Sequence, residues 1–346
     1  MQLARLSFST LRRAARALVA PVMMAVALAP TAGHATDADP VQLGYAKCAH
    51  CTPLSLTPQY ATGVKLTAVP FNTGNDVLTA LLSKSIDIAQ VTYLHYVTAL
   101  DKGFKVVAVS GQINGGSRIL VANGLPVQPG DWDGLKKLIM EYKKEGKPFR
   151  VAASRGNAQD IHMRGAFLTH GIDINKDVQF INIPNPSDHA SALRRGEVEL
   201  ITSVEPFATQ ISAVKAGKFF AFPYDQAAGK LTNLIVTRPD VIETNPQGVL
   251  ETVRAIVKVD ELMAGNKPLF IDTIQKVTGL DKEIATGAVQ NLDPDYKMYR
   301  TSAVAIAKMM HDLRYVNSDV SDAVQKNLDY SFLEKVTGKP KAQLGY

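Results

Sequence analysis

After its first thirty residues this chain has no second long apolar segment, no low-complexity tract and no run of like charge. Those absences exclude a multi-span membrane protein and a tail built to bind nucleic acid. No Ser/His/Asp ordering and no pair of suitably spaced carboxylates stands out as a catalytic set. Cysteine is nearly absent: Cys48 and Cys51 are the only two.

The N-terminus has no acidic residue among its first 35 positions. Arg5, Arg12, Arg13 and Arg16 precede the short apolar run Ala17–Ala29, and Gly33-His34-Ala35 supplies small residues where a signal peptidase reads. The run is short and contains Pro21, so it reads as a cleavable secretory signal, cleaved after Ala35, and not as a membrane span. No cysteine stands at the junction, which argues against a lipid anchor. The expected location is the periplasm. Removing residues 1–35 takes away four Arg and leaves 34 basic against 32 acidic residues, a net charge of +2. The whole-chain pI of 9.1 therefore overstates the basicity of the mature protein. No nucleic-acid surface is expected.

What is present is a repeat. Ala80–Ala89 reads in register with Ala192–Ile201 at an offset of 112 residues, and Asn72–Asp76 falls on Pro184–Asp188. Upstream, Val41–Tyr45 answers Phe149–Ala153. A unit this long is no solenoid repeat. It predicts two similar α/β lobes facing each other across a cleft. Apolar runs place strands at Val41–Tyr45, Lys65–Phe71, Ile86–Val91, Val106–Ser110 and Ile119–Ala122. Further strands are expected at Phe149–Ala153, Val178–Ile183, Glu199–Val204 and Leu231–Thr237, with the chain almost wholly helical from Pro239 onward. The expected organisation is residues 36–122 plus 231–346 in lobe I and 123–230 in lobe II, joined by a two-strand hinge.

Several phrases carry a family resemblance. Gly44-Tyr45, Val69-Pro70-Phe71-Asn72-Thr73-Gly74, Ser85-Ile86-Asp87-Ile88, Val151–Asn157, Arg195–Glu199 and Val204-Glu205-Pro206-Phe207 follow in that order. Together they resemble the periplasmic substrate-binding proteins of nitrate, sulfonate and taurine ABC transporters. The resemblance covers nearly the whole mature chain. It implies a type II periplasmic binding fold, two doubly wound lobes that close on a small solute. It also implies partners, the permease subunits with their ATPase, and a monomeric binder that needs no cofactor and is not an enzyme. A taurine or other sulfonate binder is the preferred expectation. The same phrases leave open an enzyme of the pyrimidine-precursor synthase type, a binder of aromatic or heterocyclic solutes, and a sensory ligand carrier.

Candidate site residues follow from strand-end loops, where helix N-termini offer unpaired N–H groups to anions. Ser154-Arg155-Gly156-Asn157 is one such loop, with a capped turn and a solvated Arg155 as its structural alternative. Asn72-Thr73-Gly74 and Thr92 supply donors elsewhere. Tyr45 and Tyr93, with Phe207, are candidates to pack on the solute's carbon skeleton. Lys47, Cys48 and His50 lie in Lys47-Cys48-Ala49-His50-Cys51, read as a ligand-facing loop shaped by two thiols or their disulfide. Redox and metal roles are the competing readings of that motif. Glu205 can bind an ammonium group, consistent with a zwitterion such as taurine; a capped or ion-paired Glu205 is the alternative. Trp132 reads as packing.

Overall fold

The computed structural model describes residues 38–346, so the expected signal segment and its cleavage after Ala35 lie outside the described residues. Strand β1 (Ala38–Ala46) leads through a 3-10 turn at Thr52–Leu56 and the short α1 (Thr57–Tyr60) to β2 (Val64–Phe71). Then come α2 (Gly74–Leu82), β3 (Ile88–Thr92), α3 (Tyr93–Asp101) and β4 (Val107–Gly115). The next stretch holds β5 (Ser117–Val121), α4 (Trp132–Lys144), β6 (Arg150–Ala153), α5 (Ala158–Thr169) and β7 (Gln179–Asn182). It continues through α6 (His189–Arg194), β8 (Leu200–Val204), α7 (Phe207–Ala213), β9 (Lys218–Ala221) and β10 (Asn233–Thr237).

The strands form two sheets, ordered β11-β4-β10-β3-β1-β2 and β7-β6-β8-β5-β9, where β11 is Leu292–Asp295. Written from the opposite edge, the second reads β9-β5-β8-β6-β7. Each sheet therefore has the same plan, with β10 and β5 as the antiparallel strand next to β3 and β8. The parallel trio β2-β1-β3 repeats as β7-β6-β8. The sequence repeat is this structural repeat.

Parallel strands covered on both faces need continuous apolar runs. Every residue of β3 and of β8 is buried. The second sheet has a core on each face: Val151, Phe167 and Leu135 on one, Ala152, Leu193 and Ile211 on the other. Trp132 packs edge-on against Phe167 and Phe220 and stacks on His170, as packing and not as a solute platform.

The helical tail comprises α8 (Pro239–Thr244), α9 (Pro246–Gly265), α10 (Lys267–Thr278) and α11 (Lys282–Val289), then α12 (Arg300–Asp312), α13 (Ser321–Lys326) and α14 (Ser331–Thr337). Val249, Val253 and Ile256 of α9 lie in the first sheet's core, on one helical face. The tail is not all helix, because β11 pairs antiparallel with β4. Its Pro294 and two Asp residues hide a strand in the sequence, and an edge position tolerates them. Strand β9, only four residues long, also gave no pattern. No helix among the described residues is long and apolar enough to cross a membrane.

The chain crosses between sheets twice. The first crossing is Gly115-Gly116, not the stretch after Ala122, since β5 pairs with both β8 and β9. Asn123-Gly124 is a turn beyond β5 and not a linker between sheets. Both glycines have positive φ, 87° and 92°. A Cβ on Gly115 would lie 2.3 Å from the Asn291 carbonyl oxygen, so only glycine fits. The second crossing runs from β9 to β10, and the two are tied together. The Gly115 N–H donates to the Lys230 carbonyl (2.9 Å), and the Thr232 N–H donates to Asn114 Oδ1 (2.9 Å). Buried His162 spans both, with Nδ1 2.8 Å from Ser117 Oγ and Nε2 3.0 Å from the Leu231 carbonyl.

Candidate functional site

The carboxyl ends of parallel strands from both sheets meet around one small cavity of about 40 Å³. The first sheet supplies Lys47 after β1, Asn72, Thr73 and Gly74 after β2, and Gln90 and Thr92 from β3. The second supplies Asn157, Ala158 and Gln159 after β6, Pro184 and Pro186 after β7, and Val204 and Phe207 around the end of β8. Cys48, His50 and Cys51 complete the wall. This is the position where open α/β sheets bind ligands, because strand-end loops there feed helix N-termini.

Three helices of eight residues or more begin at the cavity. Thr73 caps α2, accepting from the Asp76 N–H at 3.2 Å in a capping box. Thr92 caps α3 in the same way, accepting from the His95 N–H at 3.2 Å. Asn157 stands at the N-cap of α5 but makes no cap hydrogen bond, which leaves its amide turned to the cavity. Helix N-termini carry positive partial charge and unpaired N–H donors. Among the described residues no Asp or Glu lines the cavity, and Lys47 is the one formally cationic group that does. The whole arrangement favours an anion.

The Lys47–Cys51 segment is a tight turn. Cys48 and Cys51 are joined as a disulfide, and the Cys51 N–H donates to the Cys48 carbonyl at 2.9 Å. The Ala49 N–H donates to the Glu205 carbonyl at 2.8 Å, which fastens the turn to the end of β8. His50 is buried, with Nε2 3.1 Å from Cys48 Sγ and Nδ1 facing Gly116. Burial, then the neighbouring His162, lowers its pKa to about 3, so the ring is neutral.

Of the sequence candidates, the cavity brings together Lys47, Cys48, His50, Asn72, Thr73, Gly74, Thr92 and Asn157. Six others lie elsewhere. Tyr45 is buried against Ser55, and burial pushes its hydroxyl pKa up. Tyr93 is buried in the first sheet's core, its hydroxyl accepting from the Tyr299 N–H at 3.3 Å. Ser154 spends its hydroxyl on the Ile183 carbonyl at 3.0 Å. Arg155 and Gly156 open on a separate groove, where the Arg155 guanidinium lies 4.8 Å from the Phe180 ring.

Glu205 is the largest displacement. It is fully buried and ion-paired with Arg118 at 2.5 Å, and its second carboxylate oxygen accepts from Thr209 Oγ1 at 2.7 Å. Burial raises its pKa to about 7 against the pull of the Arg118 guanidinium and the Thr209 bonds. It does not line the cavity, so it offers a solute ammonium nothing.

Gln90 and Gln159 were missed. Gln90 Nε2 donates to Asn233 Oδ1 at 2.6 Å, and Asn233 Nδ2 donates to Gln112 Oε1 at 2.9 Å, a buried polar chain under the cavity floor. Gln90 did carry a signal, a lone amide in an otherwise apolar strand.

Solved structures place the fold. The chain matches the alkanesulfonate-binding protein SsuA from Xanthomonas axonopodis pv. citri bound to MOPS at TM-score 0.70 and 17% identity, covering 85% of this chain and 99% of that one. It matches the periplasmic nitrate-binding protein NrtA from Synechocystis at TM-score 0.71 and 16% identity, covering 88% and 90%. The architecture is thus that of the periplasmic binding proteins, two sheets of one plan with a cavity at their strand ends. Residues 34–276 match the model of the NMT1-like family, and the chain belongs to that family. A curated relative, the nitrate/nitrite binding protein NrtA of Synechococcus elongatus, is 24% identical over 161 residues, or 46% of this chain. The chain spans about a third (35%) of that relative's length.

Proposed function

We propose that this protein is the solute-binding component of an ABC importer and that it captures a small oxoanion of the nitrate or sulfonate kind. The observation that carries the reading is the cavity, lined by no acid among the described residues, at which α2, α3 and α5 begin, drawn from both sheets. In this reading each sheet is the core of one lobe, with the crossings at Gly115-Gly116 and before β10 as the hinge. The solute favours the closed form through contacts that exist only when both lobes touch it. Closed and loaded, the protein delivers to the permease and its ATPase. Export to the periplasm by the segment ahead of residue 36 belongs to the same reading. Its similarity to nitrate- and alkanesulfonate-binding proteins supports a receptor over the enzyme alternative.

The cavity also sharpens the solute. Taurine carries an ammonium group, and the carboxylate expected to hold it is occupied by Arg118. A plain oxoanion or an uncharged-tail sulfonate suits the walls better than a zwitterion. A cavity of about 40 Å³ favours a small one. The test is a thermal-shift series on protein unfolded and refolded to shed bound solute, with nitrate, small alkanesulfonates, taurine and aromatic acids. A midpoint rise with nitrate or an alkanesulfonate, larger than with taurine, is expected. Shifts confined to aromatic acids would overturn the oxoanion assignment.

A further inference from the structure

Cys48, His50 and Cys51 are used by the reading above only as cavity wall. Their donor atoms, two sulfurs and one ring nitrogen, all lie within 4.8 Å of one another. All three residues are buried, and all three face the cavity. Among the described residues the imidazole has no conventional hydrogen-bond partner: Nε2 meets only the Cys48 sulfur, and buried Nδ1 has none. A buried polar nitrogen left unpaired is destabilising by about 1–3 kcal/mol, which is unusual enough to ask what the ring is kept for. Its position is fixed, since a Cβ on Gly116 would lie 2.6 Å from Nδ1. The glycine of the first crossing therefore makes the slot that holds this ring beside the two sulfurs.

Two thiolates and one imidazole are a donor set for a borderline or soft cation, with Zn²⁺ the common case. Three protein ligands leave a fourth tetrahedral position open. Here the open side is the cavity, since every ligand residue lines it. We propose that the reduced protein binds one Zn²⁺ through Cys48, Cys51 and His50, and that the Cys48–Cys51 disulfide switches this site off.

The chemistry balances simply. A dithiol reductant donates two electrons and two protons to the cystine; the S–S bond breaks, two thiols form and the reductant leaves as its own disulfide. Zn²⁺ then forms two Zn–S bonds as the two thiol protons pass to solvent. In the disulfide neither sulfur is a thiolate, so only the imidazole remains as a strong ligand. The cavity thus has two chemical states selected by the redox state of one turn.

The experiment titrates Zn²⁺ against a chromophoric chelator, using protein reduced with a dithiol and desalted without oxygen, and the same protein oxidised. One equivalent is expected to bind the reduced form, and binding to the oxidised form should be more than roughly a hundredfold weaker. Co²⁺ in place of Zn²⁺ should give sulfur-to-metal charge-transfer bands in the reduced form alone. His50→Ala should weaken Zn²⁺ binding by at least roughly tenfold. Oxidised wild type is the internal control should that variant fold poorly. No uptake by reduced protein, equal uptake by both forms, a Co²⁺ spectrum without thiolate bands, or full affinity in a folded His50→Ala protein would each overturn the site. No solute is present in the titration, so the result is independent of the oxoanion reading.

Discussion

Gly74 and Asn157 come so close across the cavity that a methyl group on Gly74 would lie 2.8 Å from Asn157 Oδ1 and 2.6 Å from His95 Cε1. Gly74 opens α2 on one sheet and Asn157 precedes α5 on the other. Nothing in the local backbone demands glycine there, and alanine is the better helix former by about 1 kcal/mol. That gain is outweighed, because the methyl must also displace the buried His95 ring of its own sheet, so Gly74→Ala should lower the melting temperature as well as weaken solute binding at least roughly tenfold, about 1.4 kcal/mol. Calorimetric titration beside a thermal melt separates the two, and unchanged affinity would refute closure at this contact.

Asn157 and Ser154 should part company on mutation. Asn157→Ala removes an amide that faces the cavity and caps nothing, so it should lower solute affinity with little loss of stability. Ser154→Ala removes the bond to the Ile183 carbonyl, so it should lower stability by about 1 kcal/mol and leave affinity nearly intact. Urea unfolding and solute titration of both variants give the comparison.

Glu205 should make stability depend on pH in an unusual sense. Its folded pKa is raised from an ordinary 4.5 to about 7, so the folded protein holds a proton that the unfolded chain has released. The stabilisation from that proton is complete below pH 4.5 and is lost as pH rises toward 7. Glu205→Gln has no such proton to lose. The advantage of wild type over the variant should shrink by about 3 kcal/mol between pH 4.5 and about pH 8. Denaturant unfolding of both proteins at the two ends measures it, and a constant difference would mean that Arg118 keeps the carboxylate ionised throughout.

The buried histidines act in the opposite direction. Burial lowers His50 and His95 to about 3 and His162 and His189 to about 4. These groups stay neutral in the fold but bind protons once unfolded, so their stabilisation is present above 6.5 and drains away as pH falls toward 4. Each adds up to about 1.4 kcal/mol per pH unit near pH 5, and Glu205 offsets less than one of the four. Unfolding free energy should therefore drop steeply between pH 6.5 and pH 5. A flat profile over that range would show that the rings are already charged.

The parts of the fold that could be read beforehand are those where burial on both faces writes a continuous apolar run. Strands β3 and β8 come near this, interrupted by Gln90 and Thr92 in the one and by Thr202 and Ser203 in the other, and their repetition across 112 residues announced two sheets of one plan. Strand β11 could not be read, because an edge strand tolerates Pro294 and Asp293 without any apolar signature. The crossing was misplaced for a related reason: β5 is as apolar as its neighbours, and only its partners reveal which sheet it joins.

In the site, Thr73, Thr92 and Asn157 were legible as residues between a strand end and a helix start. Of the aromatic candidates, Phe207 reaches the cavity wall and Tyr45 and Tyr93 do not. Tyr93 occupies the same helix start as Thr92, yet its ring turns to the core and meets Tyr299. Glu205 looked like a cavity carboxylate because its partner, Arg118, lies 87 positions earlier on a strand with no charge pattern to link them.

The two crossings deserve a mechanical reading. Gly115 holds Lys230, Asn114 holds Thr232, and His162 clasps Ser117 and Leu231 together. Two strands bonded side by side in this way behave as a single axle and resist twisting about their own length. Under the closure proposed above, the halves would swing like the boards of a book and not slide or rotate past one another. The solute's doorway would then always be the edge opposite the spine.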